Sequence, residues 1–224
     1  MIDLSPLWLS LKLAFIVTVI LFALSVPLAW WLAYGKIKFK ALIEAAVTLP
    51  LVLPPSVLGF YLLLAFSPQN AFGKFVETVF HVRLVFTFAG LVIASLIYSL
   101  PFMVNALLTG LRNLPPSLKE ASFTIGKSRF TTLTKILLPN IRGSILTGMV
   151  LTFAHTLGEF GVVLMVGGSI PHQTRVVSIA VYDEVESMNY HTANIYAGIL
   201  LVLTFSILAV VYLVNNNKQS TKLF

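Results

Sequence analysis

The chain has 224 residues, 58% of them hydrophobic and 10% charged, with a mean hydropathy of +0.93, whereas soluble domains carry roughly 25% charged residues. A water-soluble enzyme is excluded. Lys and Arg number 15 against 8 Asp and Glu, a balance that in so apolar a chain bears on membrane orientation and implies no nucleic-acid partner, and the absence of cysteine excludes disulfides and thiolate metal sites.

The apolar runs are long enough to span a bilayer, which takes about 20 residues each. The first covers residues 13–34 and closes at Gly35 and the Lys36, Lys38, Lys40 cluster. Its basic flank follows the run and no small-residue cleavage site precedes that flank, so it reads as a retained span and not a signal peptide. The second, residues 41–66, is interrupted by Pro50, Pro54 and Pro55, which remove backbone donors and should kink or break it. The third is 85–111 with Pro101 inside, the fourth 141–162, and the last 193–214. The expectation is one all-α transmembrane domain over 1–224 with five spans. Residues 157–168 leave room for a sixth, half-length element.

Five spans put the termini on opposite sides of the membrane. With the N-terminus outside, Lys36, Lys38, Lys40, Arg112, Lys119, Lys127, Arg129, Lys135, Arg142, Lys218 and Lys222 are cytoplasmic, and only Lys12, Lys74, Arg83 and Arg175 are not. That bias favours an outside N-terminus and a cytoplasmic C-terminus. The segment with Asp183, Glu184 and Glu186 then lies outside.

The cytoplasmic connection 112–140 is patterned. Pro115 and Pro116 precede Ser117, which reads as an N-cap with Glu120 three residues on, a capping box. Leu118, Ala121, Ser122 and Ile125 share one face of the helix that follows. Gly126 permits a left-handed stop, and a second helix, 129–138, leads to Pro139 and the fourth span. Gly126-Lys127-Ser128 lacks the upstream glycine of a phosphate-binding loop. No nucleophile motif, metal cluster or cofactor site is present in the pattern, so the chain does not hydrolyse nucleotide itself.

Glu120-Ala121-Ser122, three residues, Gly126, nine residues and then Ile136-Leu137-Leu138-Pro139 resembles the E-A-A-x-x-x-G-x(9)-I-x-L-P motif of permease subunits of bacterial ABC importers, with Ser122 where the motif has Ala. The resemblance implies a coupling helix docked on a separate ATPase, with Ser117, Glu120, Ala121, Ser122, Gly126, Leu138 and Pro139 as coupling residues. The segments 49–61 and 156–161, with 169–175, look like those of molybdate permeases. This implies an inner-membrane homodimer bearing two cytoplasmic ATPase subunits, served by an extracytoplasmic molybdate-binding protein and set in membrane lipid. Tungstate, sulfate and thiosulfate permeases share much of the pattern. An ATP-independent channel or secondary transporter is the remote alternative, and secondary transporters are usually built from internal repeats, of which the sequence gives no sign.

Within the spans, Glu159 is an expensive charge. It would repel an oxyanion, so it is expected to anchor the Gly-rich segment around it, with a gate role as the alternative. His155, four residues earlier, is placed to pair with it. Thr156 and the hydroxyls of Thr48, Ser56, Ser99 and Thr152 could line a polar path, although each could equally bond to its own helix. The broken helix at Pro54 and Pro55 is a candidate pathway wall.

Overall fold

The computed structural model describes residues 2–36 and 38–220, so Lys222, counted above on the cytoplasmic side, lies outside the described residues. Among them every regular element is helical. Three helices are long and apolar enough to cross a membrane, and five spans result if each of two bent helix pairs is counted as one.

Helix α1, Ser5–Tyr34, has 30 residues, about 45 Å at 1.5 Å per residue. It begins eight residues before the predicted apolar run, with Leu4 at the cap position and Pro6 in the first turn; just before it the Asp3 carboxylate accepts the Ser5 N–H at 2.9 Å and the Ser5 hydroxyl at 2.7 Å. Its face of Leu13, Val17 and Leu21 is fully buried against α5 (Phe88–Arg112) and α9 (Arg142–Gly158). The second predicted span is two helices, α2 (Lys40–Val52) and α3 (Pro55–Phe66), at 110° to each other. Pro50 stays inside α2, but the Pro54-Pro55 pair forces Leu53 and Pro54 into extended conformation. The break therefore falls at the double proline.

Between α3 and α5 lies α4 (Ala71–Phe80), a helix the sequence reading did not anticipate. The 112–140 connection holds α6 (Pro116–Thr124), α7 (Arg129–Thr132), a π-helical turn (Leu133–Leu137) and α8 (Leu138–Asn140). This segment meets α9 at 79°. Residues 157–168 contain the short helix α10 (Gly161–Gly167), whose Val162, Val163 and Val166 are buried against α3 and α5. At Gly161 an added Cβ would lie 2.6 Å from Pro55 Cβ, so glycine is what lets α10 sit against the start of α3.

The acidic segment is a helix, α11 (Val177–Glu186), packed on α12 (Tyr190–Ser220). Ser10 Oγ accepts the Val177 N–H at 2.8 Å, and Tyr196 donates to the Asp3 carbonyl at 2.6 Å. These two bonds tie the end of the chain to its beginning. Little of the Tyr190–Val211 stretch of α12 is buried, and Leu201, Val202, Phe205 and Leu213 are exposed, as a lipid-facing helix requires.

Candidate functional site

Two regions gather the residues singled out by the sequence: the helical loop α6 to α8, and a recess along α5 and α9.

In the loop, Pro115 is the cap and Pro116 the first residue of α6, so the predicted capping box does not form. A proline at the first helical position has its φ already set and no N–H to satisfy, which leaves Ser117 as the second helical residue with no capping bond. The predicted shared face is also split: Ser122 is buried, Leu118 half-buried, and Ala121 and Ile125 are exposed. Gly126 does end the helix in left-handed conformation, φ +74°. Its N–H donates to the Phe123 carbonyl at 3.0 Å, and Lys127 N–H to that of Ser122 at 3.0 Å. Nothing lies within 4 Å of an added Cβ there, so the demand for glycine is conformational and not spatial.

Hydroxyls hold the two sides of the turn together. Thr132 Oγ1 donates to the Ser128 carbonyl at 2.9 Å, which leaves Ser122 Oγ as donor to Thr132 Oγ1 at 2.8 Å. Ser128 caps α7 by accepting the Thr131 N–H at 3.2 Å. Ser122, where the motif has Ala, thus carries a specific bond between α6 and α7. Phe123, Ile125 and Phe130 stand exposed, the last by 75%, beside exposed Glu120 and Ala121. Leu138 packs against the main core, while Pro139 is exposed.

The recess, about 590 Å³, is lined by Pro55, Ser56, Tyr98, His155, Gly158 and Glu159 among others. The structure therefore brings together four of the six predicted pathway residues. Pro54 is exposed at the bend and does not line it, and Thr156 faces the interior, hydrogen-bonded to Ser99 at 2.9 Å. His155 and Glu159 do not pair. Helix α9 ends at Gly158 and Glu159 is extended, so the i, i+4 relation is lost. Instead Glu159 accepts the Val162 and Val163 N–H groups at 2.7 and 3.2 Å and caps α10, while its own carbonyl accepts Ser178 Oγ at 2.6 Å. A carboxylate is favourable at a helix N-terminus, where unpaired N–H groups and the helix dipole converge. The His155 ring lies 4.2 Å from that of Phe102 and 4.8 Å from that of Tyr98, centroid to centroid.

A second recess of about 580 Å³ continues along the same pair of helices, lined by Phe102, Asn105, Thr109, Ser144 and Thr147 among others. Sequence reasoning missed this face. It chose Ser99, Thr152 and Thr156, which are buried and line neither recess, and passed over Tyr98, Phe102, Asn105 and Thr109. Their 4-3-4 spacing marks one helical face and was readable.

On the other side of the fold, Arg175 lies 2.9 Å from Asp183 and 3.3 Å from Glu184. Burial disfavours the guanidinium charge, but the bonds and charges of these two acids outweigh it and raise the Arg175 pKa. Ser169 donates to Asp183 and Tyr182 to Glu186, so the acids of this segment are largely engaged within the chain.

Spanning helices that carry a projecting helical loop and a polar recess describe a membrane transport subunit, and solved structures share the arrangement. The chain superposes on an inward-facing MetNI methionine ABC transporter with a TM-score of 0.72 at 18% identity, covering 95% of this chain and 94% of that one. A bacterial alginate ABC transporter gives 0.67 at 18%, covering 93% and 76%. Residues 25–219 match the binding-protein-dependent transport system inner membrane component family, and the chain belongs to that family. It is thus a multi-pass inner-membrane transport subunit and not itself an enzyme. It is 42% identical to the molybdenum transport system permease protein ModB of Azotobacter vinelandii, over 94% of this chain and 93% of that one. Identity is 32% to a putative molybdenum permease of Bacillus subtilis, over 91% and 90%, and 33% to a probable sulfate permease of Marchantia polymorpha, over 87% and 67%.

Proposed function

We propose that the chain is the permease of an ATP-driven importer whose cargo is molybdate. The observation that carries the cargo is the 42% identity to the Azotobacter molybdenum permease over nearly the full length of both chains. In this reading two copies enclose one path, each copy engages one ATPase subunit through α6, and an extracytoplasmic binding protein delivers the oxyanion. The N-terminus is outside and the loop cytoplasmic, in keeping with the distribution of Lys and Arg.

The geometry supplies a route for the work. Exposed Phe123, Ile125 and Phe130 offer apolar anchors to the ATPase, of the kind that dominate helix-in-groove docking. The Ser122–Thr132 bond makes α6 and α7 move as a unit. That unit continues into α9 through the 79° corner and follows directly on α5, and these two helices share the face lined by Tyr98, Phe102, Asn105, His155, Ser144 and Thr147. Closure of the ATPase pair draws the two loops together and re-aims that face from one side of the membrane to the other. Hydroxyls, an amide and an imidazole there offer an anion weak hydrogen bonds, so that it can leave, while the Glu159 carboxylate at the same recess is turned to the Val162 and Val163 N–H groups.

Uptake of labelled molybdate into cells deleted for the gene and complemented with it, with sulfate and tungstate as competitors, tests the cargo. Restored molybdate uptake that a large excess of sulfate leaves unchanged is expected. Restoration of sulfate or tungstate uptake alone would keep the importer and overturn the cargo.

A further inference from the structure

A cavity of about 320 Å³ lies where the end of α1 meets the start of the loop, on the side of the chain that carries α6. Three cations converge on it, Lys36, Lys119 and Arg129, and among the described residues no carboxylate lines it. None of the three has an ion-pair partner among the described residues; the salt bridges involve Arg83, Arg112 and Arg175, and the nearby Glu44 is taken by Arg112. The remaining walls are aromatic. Lys119 Nζ lies 4.6 Å from the centre of the Tyr34 ring and 5.9 Å from that of Phe123, which holds the ammonium at the cavity without neutralising it. Tyr34 is itself fixed, its hydroxyl donating to the Leu111 carbonyl at 3.0 Å.

Trp30 and Trp31 complete the wall. Tryptophan at the end of a span marks the headgroup level of the bilayer. Trp31 and Leu24, two helical turns apart on α1, are 47% and 56% exposed, an apolar track leading from the cations toward the middle of the membrane. A free oxyanion would use the cations and have no use for the track, whereas a phospholipid uses both. Basic pockets beside spanning helices on the cytoplasmic side suit anionic headgroups.

We propose that this cavity binds the phosphate of an anionic phospholipid of the cytoplasmic leaflet, with Lys36, Lys119 and Arg129 on the phosphate and Trp31 and Leu24 along an acyl chain. The lipid bridges α1, α6 and α7, and so fixes the stance of the loop against the bundle. The site is separate from the proposed transport path, and the proposal does not depend on which oxyanion is the cargo.

The permease–ATPase complex, purified in detergent and exchanged into phosphatidylcholine vesicles containing a minor fraction of phosphatidylglycerol, is analysed by native mass spectrometry. The wild type should retain phosphatidylglycerol through exchange. The double variant Lys119→Gln/Arg129→Gln should retain at least five-fold less, with phosphatidylcholine unchanged, and Lys119→Arg should retain it as the wild type does. Equal retention in the double variant overturns the site. Displacement of the lipid by millimolar inorganic phosphate or molybdate assigns the cations to a free anion and overturns the lipid as source. Retention by the isolated permease but not by the complex assigns them to the ATPase surface, with the same consequence. Should the double variant fail to assemble, Trp31→Ala, which leaves the three charges in place, is expected to lower retention by itself, and unchanged retention there counts against the acyl track.

Discussion

The turn at Gly126 and the turn at Glu159 both break a helix and start another, yet they are built differently. At Gly126 the chain reverses through a positive φ of +74° on an exposed loop where water can satisfy the backbone groups that the turn frees. Conformational freedom is the main requirement. At Glu159 the break lies inside the bundle, 5% exposed, where an unpaired N–H has no water to turn to. A side chain must replace the water, and the carboxylate takes both Val162 and Val163 N–H groups. Of these two breaks, the buried one is met by a side-chain acceptor and the exposed one by a glycine.

Glu159→Ala probes the buried turn. Leaving two buried donors unpaired costs on the order of 2–5 kcal/mol, so the variant should show a clearly lowered unfolding temperature in detergent and reduced membrane levels, with Glu159→Gln in between. A wild-type melting curve for Glu159→Ala would break the contrast. Gly126→Val probes the exposed turn, where a left-handed non-glycine residue costs about 1–2 kcal/mol, more for a β-branched one. Membrane levels should hold while ATP-driven uptake falls at least ten-fold, because the turn is distorted where the ATPase would dock.

Ser122→Ala removes one bond from the α6–α7 link but leaves Thr132 its Ser128 carbonyl. A loss of about 1 kcal/mol in stability and a modest fall in uptake are expected; an unaltered melting curve would show that the two helices are held by packing alone. Asp3→Asn sharpens the contrast from the other side. Asp3 also serves a helix start with its carboxylate, but it is fully exposed, and the Ser5 backbone and hydroxyl bonds hold its pKa below the ordinary value of 3.8. The stability it contributes is present above that value and lost as pH falls through the lowered pKa. Melting curves of wild type and Asp3→Asn should nearly coincide at neutral pH, and the small difference between them should vanish in acid.

What the sequence made legible follows the same division. The loop could be read because its signals are local: a glycine stop, a proline start and a fixed spacing to Leu138-Pro139. Its details went wrong where two local rules competed, and Pro116 displaced Ser117 as the start of α6. The all-α bundle could be read from apolar run lengths. The 110° angle between α2 and α3 could not, because two prolines announce a break without giving its direction. Nor could the fate of His155, whose separation from Glu159 was decided by where α9 ended. Nor could the mutual bond of Ser99 and Thr156, two of the hydroxyls weighed for a polar path, because they meet across helices, a pairing 57 residues apart in sequence that no local pattern carries.

The loop as the element that converts ATP hydrolysis into transport is tested most directly in proteoliposomes containing the permease and its ATPase, supplied with the binding protein and labelled molybdate. Wild-type vesicles should accumulate molybdate only with ATP, and Gly126→Val vesicles with the same amount of assembled permease should not. Accumulation by the Gly126→Val vesicles at the wild-type rate, or by wild-type vesicles without ATP, would contradict the account.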